Sequence, residues 1–240
     1  MGLFGFGNSE GKIERLKKKA TNKFGQAIER QMALKSLRQI GTPEALSALL
    51  ARFTITLDVT ITDADEKREV YEWLVAAGEK AVEPIERFVA THDGVYWPLK
   101  ALKEIAGLER AVHALLVALD RANSVEGRVN EQRVQLVSNL RDFPHPDVRE
   151  RLKKLAEDKL DEVRLLALDG LMTYGEAEAL PVVAKRLLDP NETPSIRGVI
   201  FEQLVDHGWS FRQWKDELLA LGVIPPHYRL DEAGRVVRAR

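Results

Sequence analysis

The sequence contains no cysteine, which excludes disulfides, thiolate nucleophiles and thiolate metal sites together. That absence fits a reducing compartment, and a cytoplasmic location is the expectation. Long apolar runs are missing as well, since none approaches the ~18 residues needed to span a bilayer. The opening Met1-Gly-Leu-Phe-Gly-Phe-Gly7 lacks the basic start and apolar stretch of a signal peptide. Phe6 stands where a myristoylation signal needs Ser or Thr. Nor is there an excess of charge: 36 basic residues face 37 acidic ones, so no global field argues for nucleic acid or a membrane.

Catalytic chemistry is equally sparse. His92, His113, His145, His207 and His227 are scattered, without the i, i+4 spacing of a helical metal pair. Gly5, Gly7, Gly11 and Lys12 suggest a phosphate loop, but Ile13 replaces the Ser or Thr that would hold magnesium. Asp63-Ala-Asp65 lacks the continuation of a calcium loop and is expected to cap the next helix. No Gly-x-Ser-x-Gly elbow is present. No catalytic residue, cofactor or metal is therefore expected.

What the chain does contain is repetition. A basic residue, a leucine seven later and a glycine four beyond that describe an amphipathic helix with its C-terminal stop. The frame fits Arg30, Leu37 and Gly41; Lys67, Leu74 and Gly78; Arg164, Leu171 and Gly175; and Arg197, Leu204 and Gly208. Leu102 and Leu140 mark weaker copies, the latter with Arg133 before it and Pro144 as its stop. The leucines are spaced 37, 28, 38, 31 and 33 apart, a period near 30 with two insertions. A second helical pattern follows each stop, as in Pro43–Arg52 and Ala179–Leu187. One such pair offers about six core side chains at ~2 kcal/mol each. Ordering its residues costs about 1 kcal/mol or more apiece. The pairs must therefore stack.

Asp161-Glu-Val-Arg164 leading to Leu171 and Gly175, followed by Ala179-Leu-Pro181, resembles HEAT-type repeats of the bacterial class first noted in phycobilisome lyases. The likeness covers roughly residues 26–221. It implies an all-α solenoid of about six helical hairpins whose second helices line the concave side. It also implies an adaptor or scaffold, although the class includes a few enzymes. The expected organisation is an N-terminal arm and basic capping helix over 1–25, the repeats over 26–221, and a tail over 222–240.

Departures from a repeat map to loops on one face. In the first insertion, residues 54–62, Ile55, Leu57, Val59 and Ile61 alternate with Thr or Asp, a strand pattern. The tail Tyr228–Val237 suggests a hairpin turning near Gly234, its strands pairing with one another or with 54–62. An extended loop packed by its apolar side chains is an equal alternative for 54–62. The second insertion, Arg121–Arg128, reads as a plain loop.

The arm is distinct. Residues 1–35 carry eight basic and three acidic side chains, a net +5 that leaves −6 for the remainder. Ile13, Leu16, Ala20 and Phe24 fall on one helical face, with lysines opposite. Two readings follow. In one, Phe4 and Phe6 insert into an anionic surface while Lys17, Lys18 and Lys19 supply attraction. In the other, which is favoured, the helix caps the first repeat as every solenoid requires.

On the second helices Arg87, Lys153, Lys154, Lys185, Arg186 and Lys215 form a partial basic ladder, interrupted by Glu86 and Asp216. It is a groove for an acidic segment or a phosphate backbone, or equally a solvated face. Trp97 before Pro98 marks a local irregularity facing the groove. Together these features predict a non-catalytic scaffold. Its partner is another protein, bound on the concave face through the ladder and Trp97 or at Ile55, Leu57 and Val59. An enzyme of lyase or nucleic-acid-modifying type and a nucleic-acid binder are the alternatives.

Overall fold

A computed structural model describes residues 6–123 and 129–239. Phe4 and residues 124–128 of the second insertion lie outside the described residues. The chain divides into two compact units, Met1–Asn139 and Leu140–Arg240.

In the first unit α1 (Phe6–Ala20) precedes α2 (Ala27–Ile40), α3 (Pro43–Leu50), α4 (Thr60–Ala77), α5 (Glu79–Val89), α6 (Tyr96–Ala106) and α7 (Leu108–Asn123). Then comes α8 (Val129–Leu140), whose last residue opens the second unit. There follow α9 (Pro146–Leu155), α10 (Asp161–Met172), α11 (Glu176–Leu188), α12 (Pro194–His207) and α13 (Lys215–Leu221). The strands β1 (Tyr228–Leu230) and β2 (Val236–Arg238) end the chain.

The packing has two layers within each unit. In the first, α2, α4 and α6 are successive neighbours in one layer and α3, α5 and α7 in the other. In the second, α10 packs on α12 and α11 on α13. The fold is thus an all-α solenoid of helical hairpins. Leu37, Leu74, Leu102, Leu140, Leu171 and Leu204 are all wholly buried, each one the inward leucine of a first helix. Helix starts follow from local chemistry. The Thr42 and Thr193 hydroxyls accept the amides of Ala45 and Ile196, with proline next in line where no donor is required. Pro98 likewise falls in the first turn of α6 and starts that helix without kinking it. Gly41 and Gly208 end α2 and α12 at φ +62° and +64°, which a β-carbon would strain.

Residues 54–62 differ from the strand expectation. A 3-10 turn runs Ala51–Thr54, irregular backbone covers 55–59, and α4 has begun by Thr60. The tail strands pair with each other, antiparallel with Arg229 opposite Val237, and an isolated bridge joins Arg235 to Ser210; among the described residues neither strand pairs with 54–62. Asp63 is four residues into α4 and does not cap it; Val59 holds the cap position. Phe24 is not on the face of α1, because that helix ends at Ala20. Ile13 and Leu16 are half-buried and Ala20 fully buried where α1 packs on α2 and α3.

Candidate interaction surface

A buried charge cluster shapes the first insertion. Arg30, at the start of α2, donates to Glu66 of α4 at 2.8 and 3.1 Å and to the Gly25 carbonyl at 3.0 Å. Arg52, wholly buried in the 3-10 turn, donates to the other Glu66 oxygen at 2.7 Å and to Asp63 at 2.8 Å. Lys67 completes the set on Asp63 at 2.7 Å. Burial pushes the Asp63 carboxyl up, but hydrogen bonds from Lys67, Arg52 and the Leu57 amide outweigh it and hold it below its ordinary value. This cluster is why no strand forms. The Ile55 carbonyl accepts from Arg52 and the Leu57 amide donates to Asp63, so the backbone polar groups go to side chains rather than to a ladder. Leu57 is buried and cannot meet a partner, Ile55 is half-buried, and Val59 and Ile61 point outward.

The second unit repeats the device. Arg164 of α10 donates to Glu192 at 2.7 and 3.1 Å, and Arg186 of α11 donates to it at 2.9 Å. Burial pushes the Glu192 carboxyl up, yet Arg164, the Thr193 amide and Arg186 together hold it below the usual range. Arg186 is therefore no rung of a basic ladder: its guanidinium is turned into the fold, also holding Asp189 at 2.8 Å. Three further rungs are engaged too. Lys153 bridges Glu178 at 2.8 Å and Glu150 at 3.1 Å, Lys185 holds Glu157, and Lys215 donates to the Asp231 carbonyl at 3.0 Å. Lys154 is exposed. Glu178, Glu157 and Glu192 reach these bases from outside their own helices, while Glu150 and Asp189 lie three residues away along the chain.

Arg87 stands in a different setting. It lines an open groove of about 670 Å³ in the first unit, between α1, α3 and α5. Leu50, Ile55, Pro84 and Phe88 give the groove an apolar floor, and Lys17, Arg87 and His92 stand at its sides. The hydroxyls of Thr21, Ser47 and Thr91 are turned back onto helix carbonyls at 2.9 Å each, which leaves the two cations as its charged groups. No carboxylate lines it. Glu83 lies 3.5 Å from Arg87, with both side chains exposed, so that pairing is weak. Lys17, a candidate of the basic arm, lines this groove; nothing in its local sequence says so, because α3 and α5 create the site.

Trp97 does not face this groove. Its ring lies 5.4 Å from that of Tyr71, tilted by 55°, on the layer formed by α4 and α6, with Lys100 lying 5.2 and 5.3 Å over the two rings. Burial, helped by Glu104, pushes the Tyr71 hydroxyl up to about 12. A smaller cleft of about 470 Å³ in the second unit is lined by Pro181, Lys185 and Trp214. Among the described residues no three histidines, aspartates or glutamates stand close enough to hold a metal ion. No described helix is long and apolar enough to cross a membrane.

Comparison with known families fits this geometry. Residues 129–204 match the model of HEAT repeats, and residues 29–53 match that of the PBS lyase HEAT-like repeat. The chain carries HEAT repeats. The second match spans α2, α3 and the start of the following turn, so it includes both Arg30 and Arg52 of the buried cluster. The HEAT match in the other stretch ends on Leu204, the last of the recurring leucines. No curated protein and no solved structure matches the chain.

Proposed function

We propose that this HEAT-repeat protein is a non-catalytic scaffold that binds another protein in the groove between α1, α3 and α5. The observation that carries the reading is the groove itself. It is open, apolar at its floor, flanked by Lys17 and Arg87, and free of carboxylates along its lining. Such a surface suits an extended or helical segment bearing acidic side chains, which would gain apolar burial and charge pairing together. The cytoplasm is the setting in which we place it.

Photo-crosslinking tests this directly. A benzophenone amino acid at Ser47 or Thr91, both lining the groove, should trap one and the same protein from native cells. The same probe at Gln39, exposed on the α2 layer, should not. Trapping at Gln39 but at neither groove position would refute the reading.

A further inference from the structure

Exposed large apolar side chains are concentrated at one place in this molecule. Phe24 is 92% exposed, Ile28 66%, Met32 64%, Val59 62% and Ile61 75%. Phe24, Ile28 and Met32 follow at intervals of four, from the turn after α1 along the outer side of α2. The Lys23–Asp58 ion pair, 3.2 Å long, places the chain beside Phe24 against the chain beside Val59. Arg30 to Glu66 and Gln31 to Glu69 hold α2 alongside α4 just beyond. The five side chains thus border one surface formed by the starts of α2 and α4. A patch of this kind is uncommon on a protein face that meets only water.

A basic cluster adjoins the patch, with Asp58 and Glu29 as acids beside it. The last turn of α1 is Lys17-Lys18-Lys19, and Lys23 follows in the same turn as Phe24. Lys18 and Lys19 are exposed, and among the described residues neither lies within reach of a carboxylate. Elsewhere on the surface Arg68, Arg110, Arg141, Arg149 and Lys185 each hold one. Lysines at a helix C-terminus complement the helix dipole, and that alone would explain their presence. It does not explain a phenylalanine left in water beside them. Protruding apolar side chains beside the exposed Lys18 and Lys19, with Lys23 paired to Asp58, match the boundary of an anionic bilayer, which accepts both without needing a shaped pocket.

We propose that this face, with Phe24, Ile28 and Met32 inserted and Lys18, Lys19 and Lys23 at the headgroups, docks the protein on an anionic membrane surface. Phe24, Ile28 and Met32 are not among the residues that line the groove, so the scaffold would present its partner site while held at the bilayer. The contact is peripheral and salt-sensitive, because short insertions and a few lysines do not anchor irreversibly.

The test is co-sedimentation of the full chain with vesicles of phosphatidylcholine alone or mixed with phosphatidylserine. Binding is expected only to the mixed vesicles, falling as salt rises. Phe24→Ser with Ile28→Ser should lower the partition coefficient roughly tenfold or more, and Lys18→Gln with Lys19→Gln by about tenfold. Val199→Ser, on an exposed position of the second unit, should change nothing. All of these positions are exposed, so an unaltered thermal melt is the control for folding. Absence of binding to mixed vesicles, equal binding to neutral ones, or binding indifferent to both double variants would overturn the proposal. So would a protein cross-linked at Ile28 without vesicle binding. None of these outcomes bears on cross-linking in the groove.

Discussion

Arg186 stands 22 residues after Arg164, and the two close on the buried Glu192 carboxylate from opposite helices of one hairpin. Arg52 stands the same 22 residues after Arg30, and that pair closes on Glu66. In both cases the carboxylate belongs to the next repeat: Glu66 is in α4, and Glu192 precedes the Thr193 cap of α12. Each clamp therefore bolts one hairpin to the next through the apolar layers. Removing one arginine of such a set leaves a buried carboxylate with one of its two guanidinium partners, at a cost of about 1–3 kcal/mol. Arg52→Met and Arg186→Met should each lower the urea midpoint by that measure. Arg87→Met, on the surface, should stay within about 0.5 kcal/mol. Trp73 and Trp97 report on the first unit and Trp209 and Trp214 on the second, so fluorescence assigns each loss to its unit. Equal midpoints for Arg52→Met and Arg87→Met would show that the clamp contributes nothing.

Acid should unfasten the same clamps. Asp63 and Glu192 both titrate below their ordinary values in the fold, where arginine, lysine and backbone amide donors outweigh burial. A carboxyl depressed by folding binds its proton more readily in the unfolded chain. Stability from it is then fully present above the unfolded value near pH 4 and lost as pH falls through the folded one. Urea midpoints should be flat from neutrality down to about pH 5 and fall below it. In Glu192→Gln the second unit should begin from a lower plateau and fall less steeply. An acid fall in that variant as steep as in the parent chain would assign the acid sensitivity to other groups.

Much of the fold could be read from the sequence, because the features that make a HEAT hairpin are local. The leucine at a fixed offset, the glycine that stops the helix and the proline after a threonine all act within a turn or two. Leu37 and Leu204 accordingly lie where the frame puts them. The clamps were not legible, since Arg30 and Glu66 are 36 residues apart and only stacking makes them neighbours. A sequence signal did exist in the shared 22-residue spacing of the arginines, but it acquires meaning only once a carboxylate is known to fall between them. The strand expectation at 54–62 failed for the same reason. Alternation describes side chains, whereas the path of this segment is set by Arg52 and Asp63 binding its backbone. Lys153, Lys185 and Arg186 make a row along their own helices, and beside the local Glu150 and Asp189 the acids that occupy them, Glu178, Glu157 and Glu192, come from elsewhere.

Gly94 gives a prediction of a different kind. A β-carbon there would lie 2.4 Å from the Phe53 carbonyl oxygen, and a backbone atom cannot swing aside. The loop between α5 and α6 therefore needs glycine for close approach to the 3-10 turn that carries Arg52. Gly94→Ala should cost roughly 1–3 kcal/mol by overpacking, read by urea denaturation through Trp97. Gly198→Ala, where nothing lies near the added atom, should be neutral or stabilising. If both variants melt alike, the contact with Phe53 is not a constraint.

The groove makes a prediction about charge. Lys17 has no carboxylate within reach among the described residues, whereas Arg87 shares its charge weakly with Glu83 at 3.5 Å. Replacing either by glutamate puts a repelling charge beside an acidic partner segment. The loss should be larger at Lys17, because Arg87→Glu also removes an attraction that Glu83 already weakens. With the photo-captured protein as ligand, Lys17→Glu should lower affinity by about tenfold or more, mostly by slowing association and steeply at low salt. Arg87→Glu should act in the same direction by less. In high salt the three proteins should converge as screening removes the charge contribution and leaves the apolar floor of Leu50 and Phe88. If affinity is unmoved at low salt by both reversals, the partner does not present acidic side chains to this groove.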